Sequence, residues 1–114
     1  MRNVLIVVVA LLLGSAAAHA HAYLDHANPR VGSTVRTAPR VVTLWFTQKL
    51  EPSFSSAQVN DAAGARVDQG ARVSGMQIHV SVKALPPGSY KVHWKVLSVD
   101  THTTEGTFSF RVGE

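Results

Sequence analysis

Two kinds of hydrophobic pattern divide the chain. Val4 to Leu13 is an unbroken apolar run, whereas beyond residue 20 apolar side chains come in short stretches cut by Pro, Gly, Asn and Asp. The second region reads as a series of strands. His21–Ala27 is extended and stops at Asn28-Pro29, Thr34-Val35 is a short strand, and Val41–Phe46 is rich in β-branched and aromatic residues suited to a sandwich core. Ser53–Asn60 and Ala65–Val67 flank Asp61-Ala62-Ala63-Gly64, a turn of the kind that closes a hairpin. Met76–Val82 alternates, with Ile78, Val80 and Val82 on one side and Gln77, His79 and Ser81 on the other. Past Pro86-Pro87-Gly88, Tyr90, Val92, Trp94 and Val96 form an inward row, and the final strand, Thr107–Val112, turns Phe108, Phe110 and Val112 inward.

After residue 20 no stretch keeps a 3.6-residue apolar period long enough for a helix. About seven strands with turns between them predict an all-β domain, a small antiparallel Greek-key β-sandwich or barrel of immunoglobulin-like size. It has no disulfides, since the chain contains no cysteine.

The apolar run at the start has a different meaning. Arg2 precedes it, small residues Gly14–Ala20 follow it, and the segment ends in an A-x-A pattern, the three-part form of an export signal. As a helix the run spans only about 15 Å, against a bilayer core of ~30 Å. Cleavage after Ala20 divides the chain into a signal, 1–20, and a domain, 21–114, that is exported and soluble. Ala16-Ala17-Ala18 offers an earlier cut that would leave His19 first.

The 94 residues from 21 onward suffice for one domain and are too few for two. Losing Arg2 with the signal lowers the formal net charge from +4 to +3, and the remaining basic residues are scattered rather than clustered, which argues against nucleic acid as a partner. Without cysteine there is no thiolate metal site and no cysteine nucleophile. No G-x-S-x-G elbow, phosphate-binding glycine loop or H-E-x-x-H helix occurs, so no catalytic residues are assigned.

The cut after Ala20 changes the chemistry of one residue. It makes His21 the first residue, whose free amine and Nδ1 can chelate one metal ion in a six-membered ring. Asp100-Thr101-His102 is the second candidate group, because in extended chain residues i and i+2 project to the same side. Amine, two imidazoles and a carboxylate make a four-donor N/O set that suits Cu(II), with zinc as the natural competitor. His79 and His93 lie on outward rows, the latter between Lys91 and Lys95. His26 is five residues from His21, on the opposite strand face, whereas Asp25 shares the side of His21 and offers a weak oxygen ligand or a hydrogen bond. Trp45 and Trp94 read as core aromatics.

His21-Ala22 with Asn28-Pro29, Leu44-Trp45-Phe46-Thr47-Gln48-Lys49-Leu50, Gly88 to Trp94, Ser98-Val99-Asp100-Thr101-His102 and Gly106 to Phe110 together resemble the CopC/PcoC family of periplasmic copper-resistance proteins, over essentially all of residues 21–114. The resemblance implies a disulfide-free Greek-key sandwich in the periplasm. It also implies a Cu(II) site built from His21, Asp100 and His102, and action beside a CopD-type inner-membrane copper transporter. Met76 is the only methionine after the signal, so the chain resembles a Cu(II)-only member without the Met-rich Cu(I) loop. Gln48 stands where many relatives carry a Glu near the metal; it keeps hydrogen-bonding capacity but brings no charge. Thr103 replaces a common Pro.

The expected function is a periplasmic Cu(II)-binding chaperone or buffer in copper homeostasis or resistance, not an enzyme. Two alternatives stand beside it: a histidine-brace copper mono-oxygenase acting on polysaccharide, and an exported sandwich that only makes protein contacts.

Overall fold

The computed structural model describes residues 22–113. The predicted signal and His21 lie outside the described residues. Eight strands follow in order: β1 (Leu24–Asn28), β2 (Thr34–Val35), β3 (Val41–Phe46), β4 (Ser56–Asp61), β5 (Asp68–Ser74), β6 (Gln77–Val82), β7 (Gly88–Leu97) and β8 (Thr103–Val112), with one 3₁₀ turn at Pro52–Phe54. They form two four-stranded sheets, ordered β1-β3-β6-β5 and β2-β8-β7-β4. Pairing is antiparallel except where β2 runs parallel to β8. No helix among the described residues is long and apolar enough to cross a membrane.

The core follows from the period-2 alternation. Val42, Leu44 and Phe46 from β3 and Ile78, Val80 and Val82 from β6 face Val92, Trp94 and Val96 from β7 and Phe108, Phe110 and Val112 from β8, all buried. Burying side chains of this size contributes about 1.5–3 kcal/mol each, which lets so small a domain stand without a covalent staple. Phe46 meets Trp94 edge to face, with ring centroids 5.1 Å apart.

Three expectations need correction. Trp45 is not a core aromatic: because Val42, Leu44 and Phe46 take the inner face of β3, Trp45 is turned outward, where the His26 ring stacks on it at 4.3 Å and 9°. The Asp61–Gly64 turn forms, with the Asp61 carboxylate accepting from the N–H groups of Ala63 and Ala65. Ala65–Val67, however, contributes only a bridge between Asn60 and Arg66 before the chain crosses to the other sheet as β5. That strand escaped the sequence reading because Asp68–Ser74 lies at a sheet edge with mostly exposed residues, and an edge strand needs no apolar alternation. Finally, β8 begins at Thr103 rather than Thr107, so β7 and β8 pair over ten positions, from Gly88↔Val112 to Leu97↔Thr103.

Candidate metal centre

The β7–β8 ladder closes through a five-residue loop, Ser98–His102. Ser98 N–H donates to the His102 carbonyl at 3.0 Å and Thr101 N–H to the Ser98 carbonyl at 2.9 Å, which folds the loop tightly back on itself. The fold-back puts Thr101 at φ 72°, a left-handed conformation that a β-branched residue adopts only under strain. Asp100 and His102 thus converge through a tight turn, not along the extended strand that their spacing suggests.

The fully buried Ser98 side chain anchors this turn. Its hydroxyl donates to Asp100 Oδ1 and also lies 3.2 Å from the His102 carbonyl. On its other side Asp100 Oδ1 faces His102 Nδ1 at 3.4 Å, both side chains remaining accessible to solvent. The Ser98 hydroxyl, helped by His102, holds the Asp100 carboxyl below its ordinary value against a smaller opposing desolvation. A carboxylate kept charged beside an exposed imidazole is a two-donor N/O set for a divalent cation.

Among the described residues no group of three or more His, Asp or Glu side chains is arranged to hold a metal, so further donors would have to come from elsewhere. The start of the described chain runs close by. Thr104, two residues beyond His102, donates from Oγ1 to the Ala22 carbonyl at 2.6 Å, linking the chain start to the opposite sheet. Tyr23 is tied to Thr47, its N–H donating to Thr47 Oγ1 and its carbonyl accepting from Thr47 N–H, each at 2.9 Å. Gln48 follows Thr47 in the loop after β3, and the next residue, Lys49, accepts from Val99 N–H at 3.0 Å. That loop therefore touches both the chain start and the segment leading to Asp100.

Asp25 is engaged elsewhere. A register shift in β1 between Leu24 and His26 marks a bulge at this position, and the Asp25 carboxylate meets His26 Nδ1 at 2.7 Å. His93 Nε2 lies 3.4 Å from Glu105 Oε2, and His79 shares a 3.5 Å contact with Thr43. Each is a one-partner surface arrangement. The residues that sequence reasoning passed over are Ser98, Thr47 and Thr104. A hydroxyl in a strand or turn carries no signal until the partner it reaches is known.

The CopC domain model matches residues 24–113. The chain belongs to the CopC family. Copper resistance protein C of Xanthomonas campestris pv. juglandis is 38% identical over 117 residues, covering 94% of this chain and 91% of that protein. The crystal structure of CopC from Methylosinus trichosporium OB3b superposes with a TM-score of 0.77 at 33% identity, over 82% of this chain and 94% of that one. Copper transport protein CutJ of Bacillus subtilis is 29% identical over 100 residues, which are 83% of this chain but 18% of CutJ. A CopC-like unit thus also occurs as a small part of a longer transport protein.

Proposed function

We propose that the protein is an exported copper carrier or buffer that, once cut after Ala20, holds one Cu(II) through the amine and imidazole of His21 together with Asp100 and His102. The observation that carries this reading is the Thr104–Ala22 hydrogen bond. It ties the residue next to His21 to a position two residues from His102, at the end of the sandwich where Asp100 and His102 already face each other. Consecutive Cα atoms are about 3.8 Å apart, so a terminus at residue 21 is within reach of that pair. Membership of the CopC family and relatives named for copper resistance and copper transport supply the metal. The donors are nitrogen and oxygen, which suit Cu(II), and one methionine after residue 20 is too few for a thioether Cu(I) site. Gln48, in the loop after β3, is assigned the role of a hydrogen-bonding neighbour to the ligands, since its amide can donate and accept without adding charge.

The three-part leader pattern of residues 1–20 supports export to the periplasm, and the likeness to a copper transport protein supports a membrane copper transporter of the CopD type as the partner. The role is carriage rather than oxidation, because Asp100 takes a coordination position that oxygen chemistry needs open. The test is an equimolar Cu(II) titration, followed by EPR, of protein beginning at His21 and of a variant with one glycine placed before it. One tetragonal, nitrogen-rich Cu(II) signal is expected from the first and a different, weaker one from the second. Equal affinity in the two refutes the chelate.

A further inference from the structure

The Ala22–Tyr23 peptide unit is held at both of its polar ends by threonine hydroxyls, one on β8 and one in the loop after β3. Its carbonyl accepts from Thr104 Oγ1 at 2.6 Å, and its N–H donates to Thr47 Oγ1 at 2.9 Å. A peptide unit is rigid and planar, so two hydrogen bonds on opposite edges fix its orientation as well as its position. Ala22 itself is fully buried, which leaves the backbone no room to rock about the pair. The geometry points to Thr47 and Thr104 as positioning residues that hold the amino terminus of the mature chain in register with the Asp100–His102 turn.

The need for such a clamp is physical. The first residues of a domain ordinarily fray, and a terminal chelate on a frayed chain must be ordered each time a metal binds, at a cost in affinity. Pinning the peptide immediately after the terminal pair removes most of that cost beforehand, leaving only the torsions at residues 21 and 22. Both hydroxyls sit where packing alone has no use for them. Thr104 lies opposite Val96 in the ladder, with its side chain toward the interior end of the sandwich, where valine would serve equally well as a strand former. Thr47 leaves β3 as an exposed residue whose hydroxyl and backbone N–H bracket Tyr23 from both sides. Neither residue is a ligand. They act through the backbone they hold.

This inference rests on the Cu(II) reading of the site, and the experiment separates the two. Thr104→Val and Thr47→Val, each with its serine counterpart, are exported from the full-length chain and compared with the wild type. Three measurements are made: thermal unfolding, ¹⁵N relaxation of the Ala22 and Tyr23 amides in metal-free protein, and Cu(II) affinity by competition. The valine variants are expected to unfold cooperatively, to show Ala22 and Tyr23 newly mobile on the nanosecond timescale, and to bind Cu(II) about 10-fold or more weakly. The serine variants should restore both order and affinity. If one valine variant does not fold, the other decides. Unchanged amide order or unchanged Cu(II) affinity in the valine variants, with the wild type binding normally, overturns the clamp alone. Absence of equimolar Cu(II) binding in the wild type overturns the function reading and the clamp's role toward the metal with it.

Discussion

A Cβ on Gly106 would lie 2.6 Å from Cζ2 of Trp94, its partner across the β7–β8 ladder. The indole rests where a side chain would be, and its other neighbour, Phe46, meets it edge to face at 5.1 Å. Trp94 therefore cannot retreat without disturbing the core. Gly106→Ala is expected to lower stability by about 1–3 kcal/mol, the cost of overpacking a close-packed interior, read from the urea midpoint at unchanged slope. A loss below ~0.5 kcal/mol would show that the ring slides aside freely.

Asp68 is expected to contribute to the acid side of the stability profile. Its side chain, 7% exposed, accepts from Arg66 Nε and Nη2 at 2.9 and 2.8 Å and from Val59 N–H at 3.0 Å. The Arg66 hydrogen bond, ahead of the opposing desolvation, lowers its carboxyl below the ordinary 3.8. A folded-state value below the unfolded one gives stability that is complete above the unfolded value and fades as pH falls through the folded value. Asp68→Asn should cost about 1–3 kcal/mol near neutral pH, and its gap from wild type should narrow below about pH 4. A gap that widens on acidification would reverse the assignment.

His26 covers one face of Trp45 on the outer side of the first sheet. Both partners are partly exposed, so the stack contributes little, at most about 1 kcal/mol. His26→Ala should leave the melting temperature nearly unchanged and shift Trp45 emission to the red as water reaches the ring. Trp94, buried, supplies the constant background. Emission identical to wild type would mean that the stack does not persist in solution.

His102→Ala and Asp100→Asn test the metal site separately from the fold. Neither side chain belongs to the hydrophobic core, so both variants should keep the wild-type unfolding transition. Each should lose Cu(II) affinity by at least ~10-fold in a competition titration. Retained affinity in either would remove that residue from the proposed ligand set.

Most of the sandwich was legible in the sequence. Alternation in Met76–Val82 and Tyr90–Val96 identifies inner and outer faces, because a strand with one face on a core must repeat with period 2. Where one side of a strand does not meet the core, that signal disappears. Asp68–Ser74 therefore carries no strand signal, and Trp45, apolar by type, reads as inward although its register turns it out.

For the site, the residue types and their spacing pointed to Asp100 and His102, but the reason they meet was not in the spacing. A left-handed Thr101 and a buried Ser98 fold the loop so that carboxylate and imidazole face each other. By itself the sequence determined the inventory: the strands with alternating faces and an N/O donor set without thiolate. Only the tertiary structure decided that Ala22 lies against Thr104, 82 positions away along the chain. Contacts between hydroxyls and distant backbone depend on where whole strands are laid against one another, and no local pattern encodes that.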